Sequence, residues 1–105
     1  MKLLTKEIEQ LFKKTGDQSD SDNPLVICKF FDPMGSWTWY ATEYNPKDKI
    51  FFGYVMGFEN EWGTFSLTEL ESIAENRMLG IERDIYFTPC KFKELKHHGK
   101  LVESI

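Results

Sequence analysis

Cys28 and Cys90 are the two thiols of this 105-residue chain, and the adjacent pair His97-His98 holds its two imidazoles. A closed zinc site needs four ligands, usually in spaced pairs, and one Cys beside two neighbouring His does not supply that spacing. A nucleophilic cysteine needs a base within reach of its sulfur. Cys28 sits in an apolar run and reads as a small core residue instead. Asp17, Asp20 and Asp22 lie close together, but the stretch lacks the central glycine and closing glutamate of a calcium loop. The chain also has no Gly-rich phosphate loop, no Gly-x-Ser-x-Gly elbow, no His-Glu-x-x-His and no Cys-x-x-Cys. No catalytic residue, metal site or cofactor is therefore read from the sequence.

Residues suited to recognition are more plentiful. Glu59, Glu61, Glu69, Glu71 and Glu75 fall in a stretch, Gly57 to Asn76, that contains no Lys or Arg. Such a run is either a solvated turn and helix face or an acidic patch for a basic partner. Glu82-Arg83-Asp84 is either a surface ion-pair cluster or a guanidinium turned partly inward, able to hold a carboxylate from Glu43 or from a partner. Gly53 and Gly57 flank Val55 on one face of a predicted strand. Glycine inside a strand is costly, so something must approach the backbone there: a packed helix, a bulge, or a groove floor. Trp37, Trp39 or Trp62 would wall such a groove, which would suit a peptide, a flat base or a sugar. Trp37, beside a turn, and Trp62, in an acidic turn, are the candidate exposed anchors; Trp39 is the more interior ring.

The elements that must position these residues follow from patterning. Thr5 is a suitable N-cap, and Leu4, Ile8, Leu11 and Phe12 form one stripe on a helix from Lys6 to Lys14. Lys13 and Lys14 fall in its last turn, where the dipole favours cations, and Gly16 ends it. Thr15–Pro24 has no apolar residue and predicts a mobile loop. Strands are predicted over Leu25–Phe31, Trp37–Tyr44 and Ile50–Phe58, with turns at Asp32–Ser36, Asn45–Lys49 and Glu59–Gly63, and a further strand starting at Thr64. On the second of these, alternation puts Trp37, Trp39 and Ala41 on one face and Thr38, Tyr40, Thr42 and Tyr44 on the other. Ser66 and Glu69 fit a capping box opening a short helix whose face carries Leu67, Leu70 and Ala74, with Ile73 beside them. Ile81–Thr88 predicts a last strand ended by Pro89. Phe92 and Leu95 anchor one helical turn, and residues 96–105 predict a frayed tail.

Several of these segments together resemble a known family. They are Lys2–Ile8, Lys29-Phe30-Phe31, Ser36–Glu43, Phe51–Val55, Gly63–Ile73 and Ile81–Asp84. Their order and spacing are similar to the bacterial domain-of-unknown-function family 2958, as far as about Phe87. Thr15–Pro24 and the tail from Lys91 stand outside the resemblance. It implies a bacterial protein, often carried on plasmids, phages and conjugative elements, and it carries over no catalytic residue.

Composition bounds the rest. A chain of this length builds one domain with one core, burying roughly two-thirds of its unfolded surface. Apolar residues make up 41% and charged residues 29%, as in a globular domain. The 13 Lys and Arg against 17 Asp and Glu leave a net charge of −4, which argues against direct non-specific nucleic-acid binding. No apolar run approaches the roughly 20 residues that span a bilayer, and Met1–Leu11 lacks a signal-peptide core. Two cysteines fit a cytoplasmic protein with free thiols. Aromatic residues reach 15%, more than a small core needs, so some should line a surface.

The sequence thus predicts a single α+β domain: an antiparallel meander of three to five strands, an N-terminal helix, and a short helix before the last strand. Its expected role is a non-enzymatic protein-interaction module in a mobile-element setting, such as a phage or plasmid anti-defence inhibitor of a host protein. The expected partner is thus host- or element-encoded. Trp37, Trp62, Gly53, Gly57, Arg83, Glu59 and Glu61 are the candidate binding residues. A small-ligand or nucleotide-binding domain using the aromatic groove, and a small enzyme using Arg83 with acids, are the alternatives.

Overall fold

The computed structural model describes residues 1–75 and 79–105, apart from the Ala74 side chain. Ala74's place on the predicted helix face, and the end of the acidic run at Asn76, lie outside the described residues.

The first helix, α1 (Lys6–Thr15), follows its capping signals. Thr5 is extended and its side chain accepts a hydrogen bond from the Ile8 N–H at 3.2 Å. Glu7 and Glu9 occupy the first turn and Lys13 and Lys14 the last, both favourable to the helix dipole. Gly16, at φ 72°, turns the chain out while its N–H bonds the Phe12 carbonyl at 2.9 Å. Only glycine takes that conformation without strain.

The run Leu25–Phe31 is two strands, not one. β1 (Leu25–Val26) and β2 (Cys28–Phe31) part at Ile27, whose N–H bonds the Ala41 carbonyl at 2.8 Å. Next come β3 (Thr38–Asn45), β4 (Ile50–Met56), β5 (Asn60–Ser66) and α2 (Leu67–Glu75). Ser66 caps α2 by accepting the Glu69 N–H at 3.1 Å. β6 is Glu82–Arg83 alone. The predicted strand to Thr88 fails because Asp84 folds the chain into a turn, accepting the Tyr86 N–H on its side chain and the Phe87 N–H on its carbonyl. β7 (Cys90–Lys91) pairs with β1, a 3₁₀ turn spans Phe92–Glu94, and β8 (Lys96–His97) pairs with β9 (Lys100–Leu101) ahead of a last 3₁₀ turn, Val102–Ser104.

The main sheet is antiparallel with order β5-β4-β3-β2-β6. With α1 and α2 it makes the α+β architecture, a meander whose last strand returns beside the first. One face, bearing Phe30, Trp39, Ala41 and Phe51, is covered by Leu3, Leu4, Phe12, Leu67, Leu70 and Ile81. The other, bearing Tyr40 and Met56, is covered by Val26, Phe92, Leu95 and Val102. Val102, in the segment read as a frayed tail, is 1% exposed, a burial worth about 1.5–3 kcal/mol. The loop 15–24 is tied to the sheet through Gln18, which bonds the Leu25 and Thr42 carbonyls and accepts the Leu25 N–H.

A bulge in β3 changes a predicted face. Ala41 pairs with Gly53 and Glu43 with Phe52, so Thr42 is an extra residue. Beyond it the alternation flips, and Tyr44 joins Phe12 and Phe51 on the face opposite Tyr40.

Candidate interaction site

The candidate site grows from β5, the outermost strand of the sheet. Register with β4 sets Val55 opposite Glu61, Gly53 opposite Gly63 and Phe51 opposite Phe65. Glu61, Gly63 and Phe65 therefore look toward the helical side of the sheet, together with Val55. There α2 stands off from the strand and leaves a groove of about 330 Å³. Val55, Phe65, Leu70 and Ile73 supply its apolar lining, Trp37 and Trp39 wall one end, and Glu61 and Glu69 stand at the rim. Glycine at 63 keeps the floor open, since nothing lies within 4 Å of where a side chain would start.

Trp37 is half-buried and leans on Trp39 at 5.9 Å, while Phe58 meets it edge-on at 5.3 Å. Phe58 itself is 94% exposed. It follows β4, which ends at Met56 rather than at Phe58. Gly57 exists to admit Trp37: a Cβ there would lie 2.4 Å from the indole ring. Gly53 serves a different purpose. Its missing Cβ makes room for the Tyr40 carbonyl oxygen, 1.9 Å from the Cβ position, beside the β3 bulge. Gly53 is buried inside the sheet, so it does not floor the groove.

Trp62 is in β5, not in a turn, because the turn closes earlier, with Gly57 N–H bonded to the Glu59 carbonyl at 3.1 Å. Alternation sends its ring to the opposite face, against Phe92 at 4.7 Å, Tyr54 at 5.2 Å and, stacked, Phe52 at 6.0 Å. It keeps 39% of its surface exposed. Glu59 is exposed in that turn. The structure thus brings Trp37 and Glu61 to one groove, places Gly57 against the Trp37 ring, and sets Trp62 on the far side of β5.

Arg83 does turn inward, though not to a carboxylate. Its guanidinium Nη1 donates to the carbonyls of Lys2 and Leu3, the latter at 3.0 Å. It fastens the N-terminal segment, whose Leu3 and Leu4 are core residues, and is structural in effect. Glu43 instead lies near Asp17, and burial first, then that neighbouring charge, raises its carboxyl above the usual range.

A larger cavity, about 570 Å³, opens between the end of α1 and β3, lined by Glu9, Lys13, Asp17, Glu43 and Tyr44 among others. Volume alone does not decide. Phe12 is 4% exposed, so Tyr44 and Pro46 supply its apolar surface, and the mixed charges of Glu9, Lys13, Asp17 and Glu43 around them indicate no single class of partner.

Two features gave no sequence signal. Tyr40, fully buried, bonds Nδ1 of His97 through its hydroxyl at 2.8 Å. Burial first, then Asp84 and Cys90, pushes the Tyr40 phenol up to about 12, so it carries its proton at neutral pH. The groove residues Val55, Phe65 and Ile73 were also unmarked, since each reads as ordinary core until α2 is placed. Cys28 is buried, and burial pushes its thiol up to about 12 against a smaller opposing effect of Arg83. Among the described residues, no three His, Cys, Asp or Glu gather in a way that could hold a metal ion, and no helix is long and apolar enough to cross a membrane.

A protein-family comparison matches residues 3–97 to the family described as protein of unknown function, DUF2958. The chain belongs to the DUF2958 family. The match runs through the loop 15–24 and on through Lys91 to His97, taking in Val26, Phe92 and Leu95 of the second face of the sheet but not Val102. No curated protein and no solved structure is detectably similar to it.

Proposed function

We propose that this DUF2958 protein is a non-enzymatic protein-interaction module and that the groove between β5 and α2 receives its partner. The observation that carries this reading is the groove itself. Val55, Phe65 and Ile73 present apolar surface between two acidic side chains, with Trp37 at one end and the buried Leu70 and Trp39 completing the lining. Apolar centre, charged rim and adjacent aromatic anchors are the anatomy of a protein-binding surface. Ile73 is 37% exposed and Phe58 almost fully exposed, and burying them on association would be favourable. The acidic rim suits a partner with a basic surface, as host nucleic-acid-binding proteins have, and supports a role as an inhibitor of such a protein encoded by a mobile element.

Site-specific photo-crosslinking tests the reading. A photoreactive phenylalanine at Ile73 or Phe58 should capture one discrete protein in the cells that carry this chain. The same probe at Tyr86, 88% exposed beyond the far edge of the sheet, should not. Equal capture at Tyr86, or capture unaffected by Glu61→Lys in a protein with unchanged melting temperature, would contradict it.

A further inference from the structure

In an antiparallel ladder, residues alternate between those that exchange bonds with a neighbour and those whose N–H and C=O point away from it. The phase in β5 is fixed at both ends of its pairing with β4. Gly57 N–H bonds the Glu59 carbonyl at 3.1 Å, and Leu67 N–H bonds the Lys49 carbonyl at 3.0 Å. The register between them is unbroken from Met56 opposite Asn60 to Ile50 opposite Ser66. Glu61, Gly63 and Phe65 therefore bond to β4, and Asn60, Trp62 and Thr64 turn their backbone groups outward. No described strand lies beyond β5, whereas the opposite edge of the sheet is only the two-residue β6. Proteins usually blunt such an edge with Lys, Pro or a bulge. The sequence Asn-Glu-Trp-Gly-Thr-Phe-Ser of β5 contains neither residue, and its register has no shift.

We propose that β5 accepts an extended strand from a partner protein, and that this partner segment alternates Lys or Arg with apolar residues. The inference rests on the groove being an interaction site and adds the mode and chemistry of docking. Strand addition supplies partners for the outward backbone groups, and side-chain pockets on either side select the sequence. On the α2 side, an added residue passes Phe65, Leu70 and Ile73 and ends at Glu61 and Glu69. That is a path for a long aliphatic stem ending in a cation. On the other side, the partly exposed rings of Trp62 and Phe52 stack on one another at 6.0 Å, and their free surface suits an apolar residue.

Charge decides between a basic partner and a second copy of this chain. Glu59 and Glu61 are exposed on the edge and Glu69 lines the groove beside it, with no Lys or Arg between Gly57 and Glu75. Pairing two copies through β5 would bring both acidic sets together, and juxtaposed like charges disfavour that contact. A cationic strand relieves the same repulsion.

The test is amide hydrogen exchange by NMR on the full chain, titrated with acetyl-Lys-Val-Lys-Val-Lys-Val-Lys-amide. The Trp62 and Thr64 amides should slow by about tenfold or more on saturation, while Glu61 and Phe65, already bonded to β4, should not change. The peptide with Glu in place of Lys should bind at least about tenfold more weakly. The same Lys peptide N-methylated throughout should give no protection. Thr64→Pro removes an outward N–H and no bond to β4, and should abolish binding with a melting temperature within about 5 °C of the parent. If that variant unfolds, the N-methylated peptide makes the same test on the unaltered protein. Shifts at Leu70 and Ile73 without protection at Trp62 and Thr64 would overturn strand addition and leave the groove reading intact. No response at either place would overturn the proposal outright, with the crosslinking result then standing alone for the groove. Protection of the same amides by raising protein concentration without peptide would name a second copy as the occupant and overturn the basic partner.

Discussion

Gly53 and Gly63 face each other across β4 and β5, yet a single methyl group at each should have opposite consequences. At Gly53 the new Cβ would lie 1.9 Å from the Tyr40 carbonyl oxygen and 2.9 Å from the Ala41 Cα. Both are backbone atoms, and β3 is held from its other side by β2. Real Cβ contacts essentially never fall below 3.0 Å, so β3 and β4 must part locally by roughly 1 Å, which carries a ladder hydrogen bond past its useful length. Losing one or two such bonds costs about 0.5–1.5 kcal/mol each, and overpacking adds about 1–3 kcal/mol. Together Gly53→Ala should cost about 1.5–6 kcal/mol, or a fall in melting temperature of at least about 6 °C. At Gly63 nothing lies within 4 Å and the backbone is not left-handed. Gly63→Ala should stay within about 1 kcal/mol of the parent, helped by a less flexible unfolded chain. Gly57→Ala should fall between them, because the group it meets is the Trp37 ring, which can swing outward and red-shift its fluorescence. Thermal and denaturant melts followed by circular dichroism would measure all three. A Gly53→Ala protein that melts within a few degrees of Gly63→Ala would refute the close approach of β3 on which the argument depends.

Stability should also fall in mild acid through His97. Its imidazole is held below its ordinary value by burial first, then by His98 and by Lys29, which is itself paired with Asp84 at 3.6 Å. The unfolded ring binds a proton near pH 6.5 while the folded ring still refuses it. The stabilisation is complete above that pH and is lost as pH falls through the lower folded value. Melting temperatures of the parent should therefore drop between pH 7.5 and 5 by an increment that His97→Gln lacks; parallel profiles would contradict this. The two thiols should separate kinetically. Cys28 is buried with its pKa pushed up to about 12, so a disulfide reagent should reach it only on unfolding, whereas the half-buried Cys90 should react in the native protein. Equal native rates would count against the Cys28 environment.

What the chain determines locally was legible from its letters. The cap at Thr5, the cations of the last turn and the exit at Gly16 give α1 within one residue, because each acts over a single turn. Alternation placed Gly53 and Val55 on one strand face, and the cost of glycine in a strand marked Gly53 and Gly57 as points of close approach, both of which the structure contains. The family resemblance was legible too, from the order of six short segments.

The tertiary structure decided the rest. Alternation continues only while pairing is regular, so the bulge at Thr42 moved Tyr44 to the α1 face without any change in the sequence pattern. An isolated stretch such as Leu25–Phe31 cannot show that its two halves will find different partners, because strand pairing joins residues far apart in the chain. Arg83 reads the same whether it meets a carboxylate or two backbone carbonyls, and the fold brings it Lys2 and Leu3. The groove itself belongs to this class. Val55, Phe65, Leu70 and Ile73 are apolar in any arrangement. They line an open surface because β5 lies last in the sheet and α2 leaves space beside it. Which strand is left at the edge is a property of pairing among all the strands, and no local run of residues encodes it.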